Sequence, residues 1–273
     1  MLLLEDILAK IKNCIDVPYN LGYNLEEDDT YSAIDPVRDC LHKVGLNKEC
    51  DIANGVSKVV IIPHNSAYVI KTPLFGSWCC PEEYNEENDE YYIDYENAYF
   101  DEYTGAYYED AEIDCSNYCE LEEYLYNFAV ENGVSDMFAK TEFFGYAKGD
   151  RPIYISEKCK DFWWGDRKPS DASKTLVKDK RDSRTPGWLK MNSTITALFV
   201  DDYGVERAEK LFQFLSDFDI SDLHSGNVMI SEKTGKIVIT DYSGFSSWLF
   251  AAMQSNDALD GLKEILSGLP QEV

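Results

Sequence analysis

The tract Asp222-Leu223-His224-Ser225-Gly226-Asn227, then V-M-I-S-E-K-T-G-K-I-V-I-T, then Asp241, constrains this chain more than any other stretch. Two apolar runs flank a Lys-Thr-Gly turn, the pattern of a short antiparallel hairpin. A polar loop ends at Asn227, the hairpin follows, and Asp241 stands just beyond it. Taken singly, each of these polar residues reads as a turn Asp or a capping Asn. Their joint order and spacing narrow the fold.

The elements upstream must be compatible with that ending. Leu3, Leu4, Ile7, Leu8, Ile11 and Ile15 repeat at helical spacing and predict an amphipathic helix that packs on a later element. A second helix is expected over about 32–44, with Pro36 near its first turn. Residues 57–62 and 67–71, joined through Pro63-His-Asn-Ser66, read as an antiparallel hairpin. From Pro73 to Ala139 there is no Lys or Arg, while Glu, Asp and Tyr crowd together. Acidic tracts are commonly solvated surface, but the many tyrosines argue for an ordered or partly ordered insertion over about 76–118. Beyond it Leu121, Leu125, Phe128 and Ala129 predict a helix stopping at Asn132-Gly133. Two strands fit 141–146 and 152–156, a basic polar stretch runs from Lys174 to Lys190, and a helix is expected from about Val205 to Phe218. One or two further helices fit after Asp241.

Composition bounds the partners. The 51 acidic against 25 basic residues give a formal charge of −26, which disfavours nucleic acid or an anionic membrane and leaves basic partners open. No apolar run approaches a membrane span, and the acids in the first ten residues do not suit a signal peptide, so a cytoplasmic location is expected. The eight cysteines show no regular spacing, which favours free thiols over a disulfide framework or structural zinc.

The order hairpin, helix, strand pair, helix, polar loop, short hairpin and Asp resembles the protein-kinase-like superfamily from about Asp51 to the end. That resemblance implies an α+β, bilobal fold with 51–157 as N-lobe, carrying the acidic insertion, and 158–273 as a minimal C-lobe. Residues 1–50 are expected to form an N-terminal helical segment. The resemblance also implies ATP and Mg2+ as cofactors and phosphoryl transfer as the reaction. Asp222 would orient the accepting hydroxyl and take its proton, and Asn227 and Asp241 would hold the metal. Lys71, ending a strand like V-A-I-K, would contact the α and β phosphates. Glu122 would pair with it, with Glu120 and Glu123 as close rivals. By the same resemblance Gly55 would lie in the phosphate-covering turn, and the segment with Glu157 and Cys159 would sit where a kinase hinge offers backbone groups to adenine.

Within the superfamily, the tract around H-S-G-N and the Asp not followed by Phe-Gly are similar to early serine/threonine kinases of lytic podovirus-type phages. This implies a phage or prophage enzyme acting on host proteins in the host cytoplasm. Several positions depart from the kinase pattern. Ile220 and Ser221 stand where His-Arg is usual, D-Y-S replaces D-F-G, one glycine remains in the phosphate turn, and no A-P-E occurs. The D-x-H-x-x-N form is shared with aminoglycoside and choline phosphotransferases. A small-molecule kinase and a non-catalytic acidic binding protein therefore stand beside the protein kinase as alternatives.

Overall fold

A computed structural model describes residues 4–13, 34–54, 58–73, 82–85, 90–93, 98–101, 106–109, 116–147, 151–161, 167–185, 187–218, 220 and 223–242. The fold is mixed α+β, built on antiparallel sheets. Its central sheet has five strands: β1 (Cys50–Asn54), β2 (Lys58–Pro63), β3 (Tyr68–Pro73), β8 (Thr141–Ala147) and β9 (Arg151–Glu157). They lie in the order β1-β2-β3-β9-β8, every pairing antiparallel. The acid-rich tract contributes two further hairpins, β4 (Glu82–Asn85) with β5 (Glu90–Ile93), and β6 (Ala98–Asp101) with β7 (Ala106–Glu109).

The sheet's two faces differ because side chains alternate along each strand. Val59, Ile61, Ile70 and Ile153 form one face and join Ile7, Leu8 and Ile11 of α1 (Leu4–Lys12) with Val37 and Leu41 of α2 (Ile34–Lys43) in one apolar cluster. The helical spacing of Ile7, Leu8 and Ile11 thus finds the later element it needs, while Leu3 and Ile15 lie outside the described residues. The opposite face is polar at its centre. Lys58 pairs with Pro73 and Val60 with Lys71, so the two lysines are diagonal neighbours on this face.

A second cluster is mainly helical. It combines α3 (Ser116–Glu131), α4 (Asp171–Asp182), α5 (Ser193–Tyr203), α6 (Val205–Asp217) and the hairpin of β11 (Val228–Ser231) with β12 (Ile237–Ile239). A short strand, β10 (Cys159–Lys160), pairs with β11. α3 ends as its sequence predicts: Gly133 has φ +68° and its N–H bonds Val130 O, while Val134 N–H bonds Ala129 O at 2.8 Å.

Four features depart from the sequence reading. The 174–190 stretch is largely helix α4, capped by Ser170, whose side chain accepts from Ser173 N–H. α5 is an additional helix, and β1 an additional strand. Cys40 is disulfide-bonded where a free thiol was expected, whereas Cys50, Cys119 and Cys159 are free. The helices expected after Asp241 lie outside the described residues.

Candidate functional site

The polar centre of the sheet meets α3 and the open end of the β11–β12 hairpin. α3 turns Leu121, Leu125 and Ala129 into the helical cluster, and the same winding buries Cys119 and Glu122 completely. Glu122 is the acid that reaches Lys71, whose Nζ donates to Oε2 at 2.7 Å. Glu123 points elsewhere and accepts the N–H of Phe143. Thr141 Oγ1 donates to the same Glu122 oxygen at 3.1 Å, and Lys71 Nζ also donates to Thr240 O at 3.1 Å.

Asp241 arrives from the hairpin. Asn227 follows a turn in which His224 Nδ1 accepts the N–H of Gly226 at 2.9 Å and His224 O accepts that of Asn227 at 3.0 Å. A Cβ on residue 226 would lie 2.8 Å from the His224 ring, so a side chain there would push the exposed imidazole off the Gly226 N–H. The carbonyl of Asn227 then accepts both Thr240 N–H at 2.8 Å and Thr240 Oγ1 at 3.2 Å. Asn227 is thereby placed beside the residue that precedes Asp241. Tyr242 anchors the far side: fully buried, it donates to Ala139 O at 2.9 Å and packs edge-on against Phe138.

Lys58 is a functional candidate that sequence reasoning missed. Its Nζ donates to Glu122 Oε1 and, at 3.0 Å, to Asp241 Oδ1. Two ammoniums and two carboxylates therefore form one network, with Lys58, Lys71 and Glu122 buried and Asp241 37% exposed. Burial opposes the charge on Lys58, but Glu122 and then Asp241 outweigh it and hold its pKa above the ordinary lysine value. Burial pushes the neighbouring Cys119 thiol up to about 12, so it stays protonated at neutral pH.

The remaining sequence candidates divide. Glu157 and Cys159 lie at the strand end beside β10, where Glu157 N–H is taken by Lys140 O and Lys158 N–H by Ala67 O. The Glu157 carboxylate accepts Ser231 Oγ, and burial raises the Cys159 thiol to about 12. Gly55 and Asp222 lie outside the described residues.

The donor set suits a magnesium nucleotide. Asp241 and Asn227 are residue types with hard oxygen atoms, and Lys58 and Lys71 carry charges of the kind a polyphosphate meets. Among the described residues no group of three or more His, Cys, Asp or Glu gathers around a possible ion. Magnesium in nucleotide sites needs no such cage, because phosphate and water complete its shell.

A cavity of about 580 Å³ lies elsewhere, lined by Arg167, Lys168, Lys174, Lys178 and Arg181 among others. Much of its charge is already answered: Arg167 bonds Asp202, Lys174 bonds Asp171, and Lys178 bonds Asp182. Comparison with known protein families, with curated proteins and with solved structures gives no match for this chain.

Proposed function

We propose that the chain is an ATP- and magnesium-dependent phosphotransferase with a kinase-like bilobal fold, most consistent with a serine/threonine kinase acting on host proteins. The observation that carries this reading is the buried Lys71–Glu122 pair beside Asp241, at the end of a hairpin that opens at Asn227. The sheet order and the helix that delivers Glu122 support it.

In this reading Lys71 binds phosphate oxygens and Glu122 orients its ammonium. Asn227 and Asp241 would hold the metal, and Asp222 would orient the acceptor hydroxyl and receive its proton. A bound magnesium nucleotide would supply the γ-phosphoryl group and neutralise its charge in transfer. The acceptor oxygen gains the phosphoryl group, and the nucleoside diphosphate leaves.

A non-catalytic kinase-like binder is the second reading, and one observation favours it: the four-membered network is already neutral without a ligand. Transfer of labelled γ-phosphate from ATP with magnesium separates the two. The substrates offered are a host-type protein extract and a panel of aminoglycosides, with wild type beside Asp222→Asn and Lys71→Met. Label on protein that both variants abolish is the expected result, with loss of at least about 10²-fold. Label on a small molecule would move the chain to the small-molecule kinases. No label from a folded, nucleotide-free protein would favour the binder.

A further inference from the structure

Resting on the nucleotide-site reading, we propose that Lys58 is a second phosphate-binding lysine, parked on Asp241 until a nucleotide arrives. The argument is a count of charges. Glu122 gives one oxygen to Lys58 and the other, at 2.7 Å, to Lys71, so its single charge is shared by two ammoniums. The remaining counter-charge of the pair is Asp241, 3.0 Å from Lys58. Asp241 is also the most exposed member of the network and the carboxylate suited to a metal.

Once a divalent ion takes Asp241, two buried ammoniums face a single carboxylate. That surplus is costly in a buried site unless an anion enters with the metal. A triphosphate supplies such an anion, and Lys58 exchanges a carboxylate oxygen for a phosphate oxygen. Placement agrees with this role. Lys58 opens β2 and shares the sheet face of Lys71. The three residues between β1 and β2 include one glycine, Gly55, and no Lys or Arg, so Lys58 is the first cation after them.

The test uses the full chain and two probes, ATP with magnesium and adenosine, which shares the base but has no phosphate. Lys58→Met is expected to weaken ATP binding about ten-fold or more and to leave adenosine binding within about two-fold, with Lys58→Arg recovering most of the loss. Equal ATP affinity in Lys58→Met, with a loss in Lys71→Met, would overturn the role of Lys58 and leave the nucleotide site standing. Parallel loss of ATP and adenosine would show a structural brace and overturn it as well. Absence of ATP binding by the wild type would remove both readings.

A second measurement needs no variant. An acyl phosphate of ATP transfers its acyl group to a lysine amine lying against the phosphate chain, releasing ATP and a proton. Acylation of both Lys58 and Lys71, suppressed by excess ATP, is expected. Label on Lys71 with none on Lys58 would sink the proposal.

Discussion

Glu122 gives one carboxylate oxygen to each lysine and receives a third bond from Thr141. Glu122→Gln keeps the shape but replaces an anion with a neutral amide between two ammoniums. It is expected to cost about 3–5 kcal/mol in urea unfolding, because both buried lysines lose their shared counter-charge. Asp241→Asn also leaves two ammoniums on one carboxylate, but Asp241 is 37% exposed, so the expected cost in the same assay is smaller, about 2 kcal/mol. Cys119 gives a pH prediction. Burial raises its folded pKa from 9.0 to about 12, so the unfolded thiol ionises first. The stabilisation from this group is complete below about pH 9 and is lost as pH rises toward 12. Cys119→Ala should flatten the fall of unfolding free energy over that window by up to about 1.4 kcal/mol per pH unit.

Lys71 and Glu122 were legible as residues because a strand end and a helix face position them locally. Lys58 was not. It precedes an apolar run, where a lysine ordinarily marks the solvated end of a strand. What turns it inward is two carboxylates 64 and 183 positions away. No local pattern carries that information.

Among the elements, the hairpin that delivers Asp241 is held from several sides. Tyr203, at the end of α5, lies 2.8 Å from Ile237 O and 2.9 Å from Asp136 O, and Asp202 accepts the N–H of Ile237 at 2.8 Å. The link between α4 and α5 is wedged against α6 at Gly187, which has φ +79° and whose added Cβ would lie 2.4 Å from Phe212 O. Its neighbour Trp188 is buried edge-on against the Phe212 ring. Gly187→Ala must strain the backbone and displace α6, and is expected to cost about 3 kcal/mol by thermal or urea unfolding. A cost within about 0.5 kcal/mol would mean that the wedge yields freely.

The same elements show where periodicity works. α1 and α6 have one apolar stripe and were found from it. α5 buries Ile195, Thr196, Ala197, Leu198, Phe199 and Val200 in succession, so it has no polar face to set a period. β1 was missed for the opposite reason: Cys50-Asp-Ile-Ala-Asn54 is short and only weakly apolar, and its pairing with β2 makes it a strand.

On the scale of the whole molecule, the ionic network ties two apolar clusters together. Lys58 and Lys71 belong to the sheet, whereas α3 and the hairpin, which bring Glu122 and Asp241, belong to the helical cluster. Each ion pair in the network crosses from one to the other. Native-state hydrogen exchange should therefore give amides of β2–β3 and of α5–α6 the same opening free energy in the wild type. In Glu122→Gln the sheet amides should open separately and earlier. Separate opening already in the wild type would show that the network does not couple the clusters.

The segregation of charge by sequence position has a further consequence during synthesis. Both lysines leave the ribosome before either acid, and Asp241 follows Lys58 by 183 positions. Until Glu122 emerges, closing the sheet's polar face would bury two cations with no counter-ion, and until Asp241 emerges one cation would remain in excess. Nascent chains shorter than that point should leave this face hydrated, so the end of the hairpin is the moment in translation at which these four charges come into balance.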